Sequence, residues 1–287
     1  MQNHKETREA FGSIFILELS SYSDILPLSQ LVENYWSIVD DFESRYSRFK
    51  IGNELDLLNS NVGKWVKVST ELFDLVKTAY DFKKETDGYF DISVESILVK
   101  LGYDKDYSFV ENPFLSSGTG DFLYRDPNLV NISQRIEFGG FGKGLMLDKG
   151  KDIFKLVDSV FINAGGDMYC KNTDTKILFE NPFDLKQAIG FAFFDEKFLA
   201  SSSDNRRNWK KHGHLINPHL KNSFSDLAGV YVQGISGARI DALSTSLFVM
   251  GYERAKYFLN KERDYEVMLI KKSGEMYLTD NFVIEFF

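Results

Sequence analysis

Alternating apolar and polar positions mark the first regular element of the chain. Residues 13–18 alternate in this way, as is typical of a half-buried β-strand. After Pro27, which suits the start of a helix, apolar residues recur at intervals of three and four and predict an amphipathic helix. These residues are Leu28, Leu31, Val32, Tyr35, Val39 and Phe42. A second such helix is predicted after the N-cap candidates Ser69 and Thr70. Its apolar face comprises Leu72, Phe73, Val76, Ala79 and Tyr80.

Short apolar runs predict further strands along the chain. They lie at residues 65–68, 128–132, 160–162, 230–232 and 266–270. Strands and helices alternate irregularly and no repeat of about 20–50 residues is evident, which disfavours a solenoid, a propeller or a regular α/β barrel. The pattern favours a single α+β domain over residues 1–287, in which residues 1–10 are expected to be a disordered start. The polar stretch 104–128 is interpreted as a surface excursion.

Composition and charge exclude several classes of protein. At 287 residues and 43% hydrophobic, the chain can bury the core of one large domain or two smaller ones. A net charge of -8 without a basic stripe argues against nucleic-acid binding, which needs concentrated Lys and Arg. No apolar run approaches the length of a membrane span. Cys170 is the single cysteine, so an intramolecular disulfide and a cysteine metal cluster are excluded.

The start of the chain bears on its compartment. Glu6 and Glu9 precede a short apolar stretch that Glu18 interrupts, and no small-residue cleavage pattern follows. An N-terminal cysteine for a lipid anchor is also lacking. We therefore expect a cytoplasmic protein, or a periplasmic one if the chain is a truncated form of an exported protein.

A glycine-crowded segment with one lysine, residues 137–144, lies between a strand-like and a helix-like run. It is not a Walker loop, because Glu137 and Gly144 occupy positions that require Gly and Ser or Thr. Leu145 stands where the dinucleotide pattern G-x-G-x-x-G needs its third glycine. Two interpretations remain open. The glycines permit close backbone approach to an anionic ligand, with Lys143 adding charge, or they only provide a tight connection with positive φ angles.

Asp241 and Thr245 form a second candidate group, where an apolar helix is predicted to open and to stop near Gly251. Residues four apart share one helix face, so this carboxylate and hydroxyl could bind one hard cation such as Mg²⁺. A helix cap is the alternative role of Asp241.

Three of the four histidines lie within residues 212–219. No cysteine accompanies them, so a zinc site is a poor interpretation. A single histidine with an ordinary pKa of about 6.5 could instead remove a proton from a hydroxyl group. Solvated loop histidines are the structural alternative.

Two shorter motifs have simple structural interpretations. The sequence Asn-Ala-Gly-Gly-Asp at residues 163–167 follows a β-branched run and predicts a hairpin turn. Residues 86–91 predict a helix exit followed by a strand.

Taken in order, these segments resemble the ApbE family, the FAD:protein FMN transferases, over nearly the whole chain. The matching segments are residues 47–49, 54–59, 86–91, 139–144 with Asp148, 163–167, 201–203 with Arg206 and Arg207, 214–218, and 241–245. The resemblance implies one ApbE-like (T-fold-like) α+β domain with mixed or antiparallel sheets and flanking helices.

The resemblance also implies a chemistry. Family members bind FAD with Mg²⁺ and transfer FMN to a Thr or Ser hydroxyl of an acceptor flavoprotein, releasing AMP. By family position, Mg²⁺ would be held by Asp241, Thr245 and the backbone carbonyl of Gly140, and Ser244 stands where some members supply a further ligand. His214 matches the catalytic histidine that takes the proton from the acceptor hydroxyl. The helix opening near Asp241 would add its N-terminal dipole beside the diphosphate. FAD contacts are implied at Tyr89, Phe90, Asp91, Glu137, Lys143 and Ile216.

Some positions depart from the family pattern. The family usually shows His-Ile-Ile-Asp-Pro, whereas this chain has Asn217 in place of the aspartate, so a carboxylate that could orient or polarise His214 is missing. Glu137 stands where Asp is common, and other small residues are common at Gly140 or Gly142. Hydrolysis of FAD to FMN and AMP, and FAD binding without catalysis, therefore stay open beside transfer.

Overall fold

The structure is a computed structural model that describes residues 1–203, 205, 208–210, 212–260 and 263–287. Arg206 and Arg207, which belong to the segments that carry the family resemblance, lie outside the described residues.

The helices of the described residues follow the apolar periodicity of the sequence. In chain order they are α1 (Leu28–Tyr46), α2 (Glu54–Asn59), α3 (Thr70–Glu85), α4 (Glu95–Lys100), α5 (Gly142–Ile153), α6 (Gly237–Met250) and α7 (Tyr252–Phe258), and a 3-10 turn at Ile92–Val94 precedes α4. The two amphipathic helices predicted from apolar spacing are confirmed as α1 and α3. Ser69 caps α3, because its side chain accepts the N–H of Leu72. None of the helices in the described ranges is both long enough and apolar enough to cross a membrane.

The strands of the described residues form one large sheet and three small ones. In chain order they are β1 (Gln2–Ala10), β2 (Ser13–Ser21), β3 (Trp65–Lys67), β4 (Phe122–Arg125), β5 (Leu129–Ile132), β6 (Ser159–Ala164), β7 (Asp167–Lys171), β8 (Ile177–Asn181), β9 (Asp184–Ala192), β10 (Lys197–Ser202), β11 (Asn208–Trp209), β12 (His212–Gly213), β13 (Leu227–Gly234), β14 (Glu266–Lys271), β15 (Met276–Leu278) and β16 (Glu285–Phe286). All five strands predicted from apolar runs are present as β3, β5, β6, β13 and β14.

An antiparallel sheet of eight strands forms the centre of the molecule, in the order β1-β2-β6-β7-β10-β13-β14-β15. All helices of the described residues except α4 bury apolar side chains on one side of it in the main core. On its other side lies a second core that includes Phe179, Phe194 and Phe282, from the segments around the small sheet β16-β9-β8. The predicted α+β architecture with antiparallel sheets and flanking helices is confirmed.

Residues 1–10 are not the disordered start that the sequence suggested, because Gln2–Ala10 forms strand β1. It pairs with β2 along its whole length, from Gln2 opposite Ser21 to Ala10 opposite Ser13. The connecting turn has positive φ at Phe11 (55°) and Gly12 (62°), which matches the twist of a hairpin. The prediction failed because β1 carries charged residues on an edge strand, where burial leaves only a weak pattern.

Two local predictions at the site segments also need correction. Helix α6 begins at Gly237, one turn before Asp241, so Asp241 lies inside the helix and does not cap it. The segment after α3 leads through a turn, with positive φ at Asp87 and Gly88, into the 3-10 turn at Ile92–Val94 instead of a strand. A tertiary partner, Asp148, caps the start of α6, whereas the turn after α3 is closed by local hydrogen bonds such as that from the N–H of Phe90 to the hydroxyl of Thr86.

Candidate active site

A cavity of about 1140 Å³ opens between the large sheet, the start of α5 and the loop that carries His214. This volume lies just above the range of about 300–1,000 Å³ that is usual for small-molecule sites. Ten of the eleven site residues predicted from the sequence line it: Tyr89, Phe90, Asp91, Glu137, Gly140, Lys143, His214, Ile216, Asp241 and Thr245. Segments that are far apart in the chain therefore meet at one site.

A buried ion cluster lies at one end of the cavity. Nζ of Lys143 is 2.8 Å from Oδ2 of Asp167 and 3.3 Å from Oδ2 of Asp241. Only 2% and 4% of the two carboxylate side chains are exposed. Burial raises the pKa of Asp241, the Lys143 ammonium opposes this shift, and the neighbouring charge of Asp167 adds to it. The cluster therefore places two buried carboxyl groups around one ammonium group.

Asp167 holds Lys143 and was not among the predicted site residues. It is the last residue of the Asn-Ala-Gly-Gly-Asp motif, whose hairpin turn is confirmed by positive φ at Gly165 (69°) and Gly166 (111°). Oδ1 of Asp167 accepts the N–H of Ser201 at 3.0 Å, which fixes the carboxylate between β7 and β10. The motif had singled out this position, but only the contact with Lys143 in the folded protein shows what Asp167 does.

The glycines of residues 139–144 serve close packing instead of unusual backbone angles. All four lie outside the positive-φ region. A Cβ on Gly144 would stand 2.2 Å from the carbonyl oxygen of Gly237, and one on Gly140 would stand 3.0 Å from the ring of Phe90. Of the two interpretations left open by the sequence, the tight turn with positive φ is therefore wrong. Gly144 packs against the backbone of α6 and Gly140 packs against a ring at the cavity wall, so close packing explains these two glycines.

Asp241 also helps to build the start of α5. Its Oδ2 accepts the N–H of Gly144 at 3.0 Å, and this group is one of the amides at a helix start that lack an intrahelical partner. The helix that opens beside Asp241 is thus α5, and it is the N-terminal dipole of α5, not of α6, that adjoins this carboxylate.

The four predicted metal ligands do not all line the cavity. Gly140, Asp241 and Thr245 line the cavity. Ser244, in contrast, does not line it, because its buried hydroxyl donates to the carbonyl of Asp241 at 3.0 Å and lies 2.9 Å from Oγ of Ser202. We therefore do not retain Ser244 as a ligand candidate.

A metal ion at this end of the cavity would depend mainly on oxygen donors other than carboxylates. Within the described ranges, no group of three or more His, Cys, Asp or Glu side chains could hold a metal ion. One carboxylate, one hydroxyl and one carbonyl are a donor set that suits Mg²⁺, which usually completes its shell with water and substrate phosphate. The Lys143 ammonium between Asp167 and Asp241 already occupies this region as a stand-in cation.

His214 enters the cavity from the loop that follows β12. The loop is held by the N–H of Gly213, which donates to Oγ of Ser223 at 2.9 Å. Ile216 is buried in a small core with residues of α4 and with Trp209, whose indole N–H donates to the carbonyl of Leu101 at 2.8 Å. The loop is thus packed against the α4 region, and His214 faces the same cavity as the ion cluster.

The remaining predicted FAD contacts line the same cavity. Oδ1 of Asp91 accepts the N–H and the hydroxyl of Ser93 at 2.8 and 2.6 Å, and Oδ2 lies 2.8 Å from Nζ of Lys83. Both oxygen atoms of the Asp91 carboxylate therefore already have partners within the protein. Burial raises the pKa of Glu137, against the lowering effects of Arg48 and of the Gly139 N–H, which Glu137 accepts at 2.8 Å.

An aromatic wall that also lines the cavity was not predicted. The Arg48 guanidinium lies over the rings of Phe49 and Tyr103, at 4.2 and 4.8 Å from their centroids. Tyr103 stacks in turn on Trp209 (5.4 Å) and Phe49 stacks on Tyr107 (4.9 Å). The tyrosines and phenylalanine in residues 103–109, within an otherwise polar excursion, are the sequence signal that could have indicated this wall.

The chain is similar to proteins of known family. The model of the ApbE family matches residues 12–269. The FAD:protein FMN transferase of Escherichia coli K12 is 22% identical over 285 residues, which covers 88% of this chain and 79% of that protein. The FAD:protein FMN transferase of Buchnera aphidicola subsp. Baizongia pistaciae is 29% identical over 157 residues, which covers 50% of this chain and only 46% of that protein.

Solved structures show the same fold. The crystal structure of the ApbE protein from Thermotoga maritima superposes with a TM-score of 0.88 at 23% identity, covering 97% of each chain. The flavin transferase ApbE from Vibrio cholerae superposes with a TM-score of 0.83 at 18% identity, covering 98% of each chain. At these identities the likeness is one of fold, and it agrees with the family match over most of the sequence. The chain belongs to the ApbE family.

Proposed function

We propose that the protein is a Mg²⁺-dependent FAD:protein FMN transferase, which moves FMN from FAD to a Thr or Ser hydroxyl of an acceptor flavoprotein and releases AMP. One observation carries the proposal: a single cavity is lined by the ammonium of Lys143, by oxygen atoms of Asp241 and Thr245, and by the imidazole of His214. The names of the curated relatives support the same activity.

The diphosphate of FAD fits the end of the cavity formed by the start of α5. Lys143 offers a positive charge there, and the amide groups at a helix start favour anions. A Mg²⁺ ion would be held by Asp241, Thr245 and the carbonyl of Gly140, and when bound it would withdraw negative charge from the diphosphate. Lys143 would then turn from Asp241 towards phosphate oxygen while Asp167 keeps it anchored.

His214 is the candidate base for the acceptor hydroxyl. In the transfer, the hydroxyl oxygen forms a bond to the phosphorus on the flavin side, and the bond from that phosphorus to the bridging oxygen breaks. AMP leaves with the electron pair, and the hydroxyl proton passes to the imidazole of His214. Such a reaction depends on positioning and charge stabilisation more than on covalent chemistry by the protein.

The aromatic wall supports the choice of a dinucleotide with two planar ring systems. Phe49, Tyr103 and Trp209 line the cavity together with Arg48, and planar side chains of this kind are suited to contact with an isoalloxazine or an adenine. The volume of about 1140 Å³ leaves room for the approach of an acceptor segment beside the dinucleotide.

The test is incubation of the purified protein with FAD, Mg²⁺ and an acceptor domain that carries a single reactive threonine. Flavin fluorescence retained on the denatured acceptor, with a mass increase of one FMN group and release of AMP, supports transfer. An acceptor with Thr replaced by Ala is the matched control. Free FMN and AMP without labelled acceptor would instead indicate hydrolysis, and intact FAD would indicate binding without catalysis; either result overturns the proposal.

A further inference from the structure

Helices α5 and α6 begin alike and cap each other. In each helix a glycine near the start is followed four residues later by an aspartate: Gly144 and Asp148 in α5, Gly237 and Asp241 in α6. Oδ2 of Asp241 accepts the N–H of Gly144 at 3.0 Å, and Oδ1 of Asp148 accepts the N–H of Gly237 at 2.7 Å. Each aspartate thus satisfies an amide at the start of the other helix.

The two glycines bring the helix backbones into direct contact. A Cβ on Gly144 would stand 2.2 Å from the carbonyl oxygen of Gly237, and a Cβ on Gly237 would stand 2.3 Å from the carbonyl oxygen of Gly144. Neither position can carry a side chain without a shift of backbone. The relative position of the two helix starts is therefore fixed by contact as well as by hydrogen bonds.

The two aspartates differ in what else they do. Asp241 faces the cavity and Lys143, whereas Asp148 does not line the cavity. Asp148 uses its second oxygen on the same helix start, where Oδ2 accepts the N–H of Ala238 at 2.9 Å and the hydroxyl of Ser236 at 3.3 Å. Both carboxylate oxygens of Asp148 thus accept hydrogen bonds from the start of α6. Asp241 and Thr245 lie in the next two turns of that helix.

We propose that Asp148 is a positioning residue for the candidate metal site. By holding the start of α6 on α5, it sets Asp241 and Thr245, which lie on α6, against Gly140 and Lys143, which lie at the start of α5. The site is thereby formed before any ligand binds. This inference rests on the proposed function, because it assigns Mg²⁺ to these residues.

The test compares Asp148→Asn with a matched control in the full-length protein. Asn keeps one acceptor for two amides, so α6 loses part of its anchor. Calorimetric titration of Mg²⁺ in the presence of FAD should give a dissociation constant raised about 10–100-fold, as is typical when groups behind metal ligands are changed. At saturating Mg²⁺ the transfer rate should recover towards the wild-type rate, since the ligands themselves remain.

Asp226→Asn is the matched control. Asp226 also caps a helix, since its Oδ1 accepts the N–H of Tyr252 at the start of α7 at 2.9 Å, but it lies outside the cavity lining. This variant should lose stability and keep the wild-type Mg²⁺ constant. Should Asp148→Asn fail to fold, Gly237→Ala tests the same contact without changing a carboxylate, and the same rise is expected.

Two negative results can be told apart. A wild-type protein that binds Mg²⁺, beside an Asp148→Asn protein whose Mg²⁺ constant lies within about twofold of it, overturns the positioning role and leaves the proposed function intact. A wild-type protein that binds no Mg²⁺ in the presence of FAD overturns the proposed function, and the positioning role with it.

Discussion

The side-chain amide of Asn217 donates to the backbone carbonyl of Val249, 2.7 Å away in the last turn of α6. Its Oδ1 accepts two backbone amides of the following turn, those of His219 and Leu220, at 3.0 Å each. The orientation of the amide therefore follows from its partners, since one end meets a carbonyl and the other meets two N–H groups. Asn217 fastens the His214 loop to α6.

These contacts give Asn217 a structural role at the position where the family usually has an aspartate. The missing carboxylate raised doubt about the orientation of His214, but the side chain at this position points to Val249 and to the next turn of the loop. Asn217 thus stabilises the loop as a whole. An ionised aspartate could accept the two amides but could not donate to Val249.

The family-like substitution Asn217→Asp should therefore destabilise this protein near neutral pH. Asn217 is buried, so the change places a carboxylate against a carbonyl oxygen and leaves that oxygen without a donor. We expect a loss of about 1–3 kcal/mol in the free energy of unfolding, measured by urea denaturation. The loss should shrink at acidic pH, where a protonated aspartate can donate. Asn222→Asp, on an exposed residue of the same loop, should change little, and a stabilised Asn217→Asp would contradict this account.

Replacement of His214 by Ala should abolish transfer while FAD stays bound. Loss of a general base typically lowers the rate about 10²–10⁴-fold. Transfer is followed by fluorescent labelling of the acceptor, and binding by the change in flavin fluorescence. His212→Ala serves as control, because His212 faces Glu111, 3.5 Å away, and does not line the cavity. Equal rates for wild type and His214→Ala would remove His214 from the mechanism.

Asp241 should show two separable losses. Asp241→Ala leaves the buried N–H of Gly144 without its acceptor and should cost about 1–3 kcal/mol of stability besides stopping Mg²⁺-dependent transfer. Asp241→Asn restores an acceptor, so it should recover most of the stability but not Mg²⁺ binding. Urea denaturation and Mg²⁺ titration measure the two effects. Normal transfer by Asp241→Ala in the presence of a chelator would rule out the metal role.

Gly144→Ala should destabilise the protein through steric conflict alone. The new methyl group would meet the carbonyl oxygen of Gly237 at 2.2 Å, and overpacking of this kind costs about 1–3 kcal/mol or more. Gly118→Ala is the control, because only Nζ of Lys221 lies near the added Cβ, at 3.8 Å. Equal unfolding midpoints for these two variants would show that α5 and α6 are not in fixed contact.

Glu54 should make stability depend on pH. Burial would raise its pKa, but the hydroxyl and N–H of Ser69 and the Arg45 guanidinium outweigh burial and lower the pKa below the ordinary 4.5. Because the pKa is lowered in the folded state, the stabilisation is complete above 4.5 and is lost as the pH falls through the folded-state pKa.

Glu54→Gln should accordingly unfold at lower urea concentration than wild type near neutral pH, and the difference should shrink on acidification below the ordinary pKa. Glu33→Gln, on an exposed residue of α1, is the control. A difference between Glu54→Gln and wild type that stays constant across this pH range would contradict the linkage.

The parts of the fold that the sequence predicted are those whose signal is local. Apolar spacing located α1 and α3, and Ser69, one of the two cap candidates, is the cap of α3. The ordered motifs also predicted that His214, Lys143 and Asp241 share one site, and all three line the same cavity.

The parts that were missed depend on partners distant in sequence. The start of α6 was placed one turn late because its own residues carry no side-chain cap, and the cap comes from Asp148 on α5. The function of Gly144 depends on Gly237, and the role of Asp167 becomes evident only when Lys143 lies beside it. Contacts between helices and strands, which no periodicity encodes, account for these errors.

Lys143 lies between two carboxylates that would repel each other if it were absent. The polypeptide therefore supplies its own counter-ion to a pair of buried carboxylates. Burial of this carboxylate pair therefore requires no ion from solution, since the compensating positive charge belongs to the chain itself.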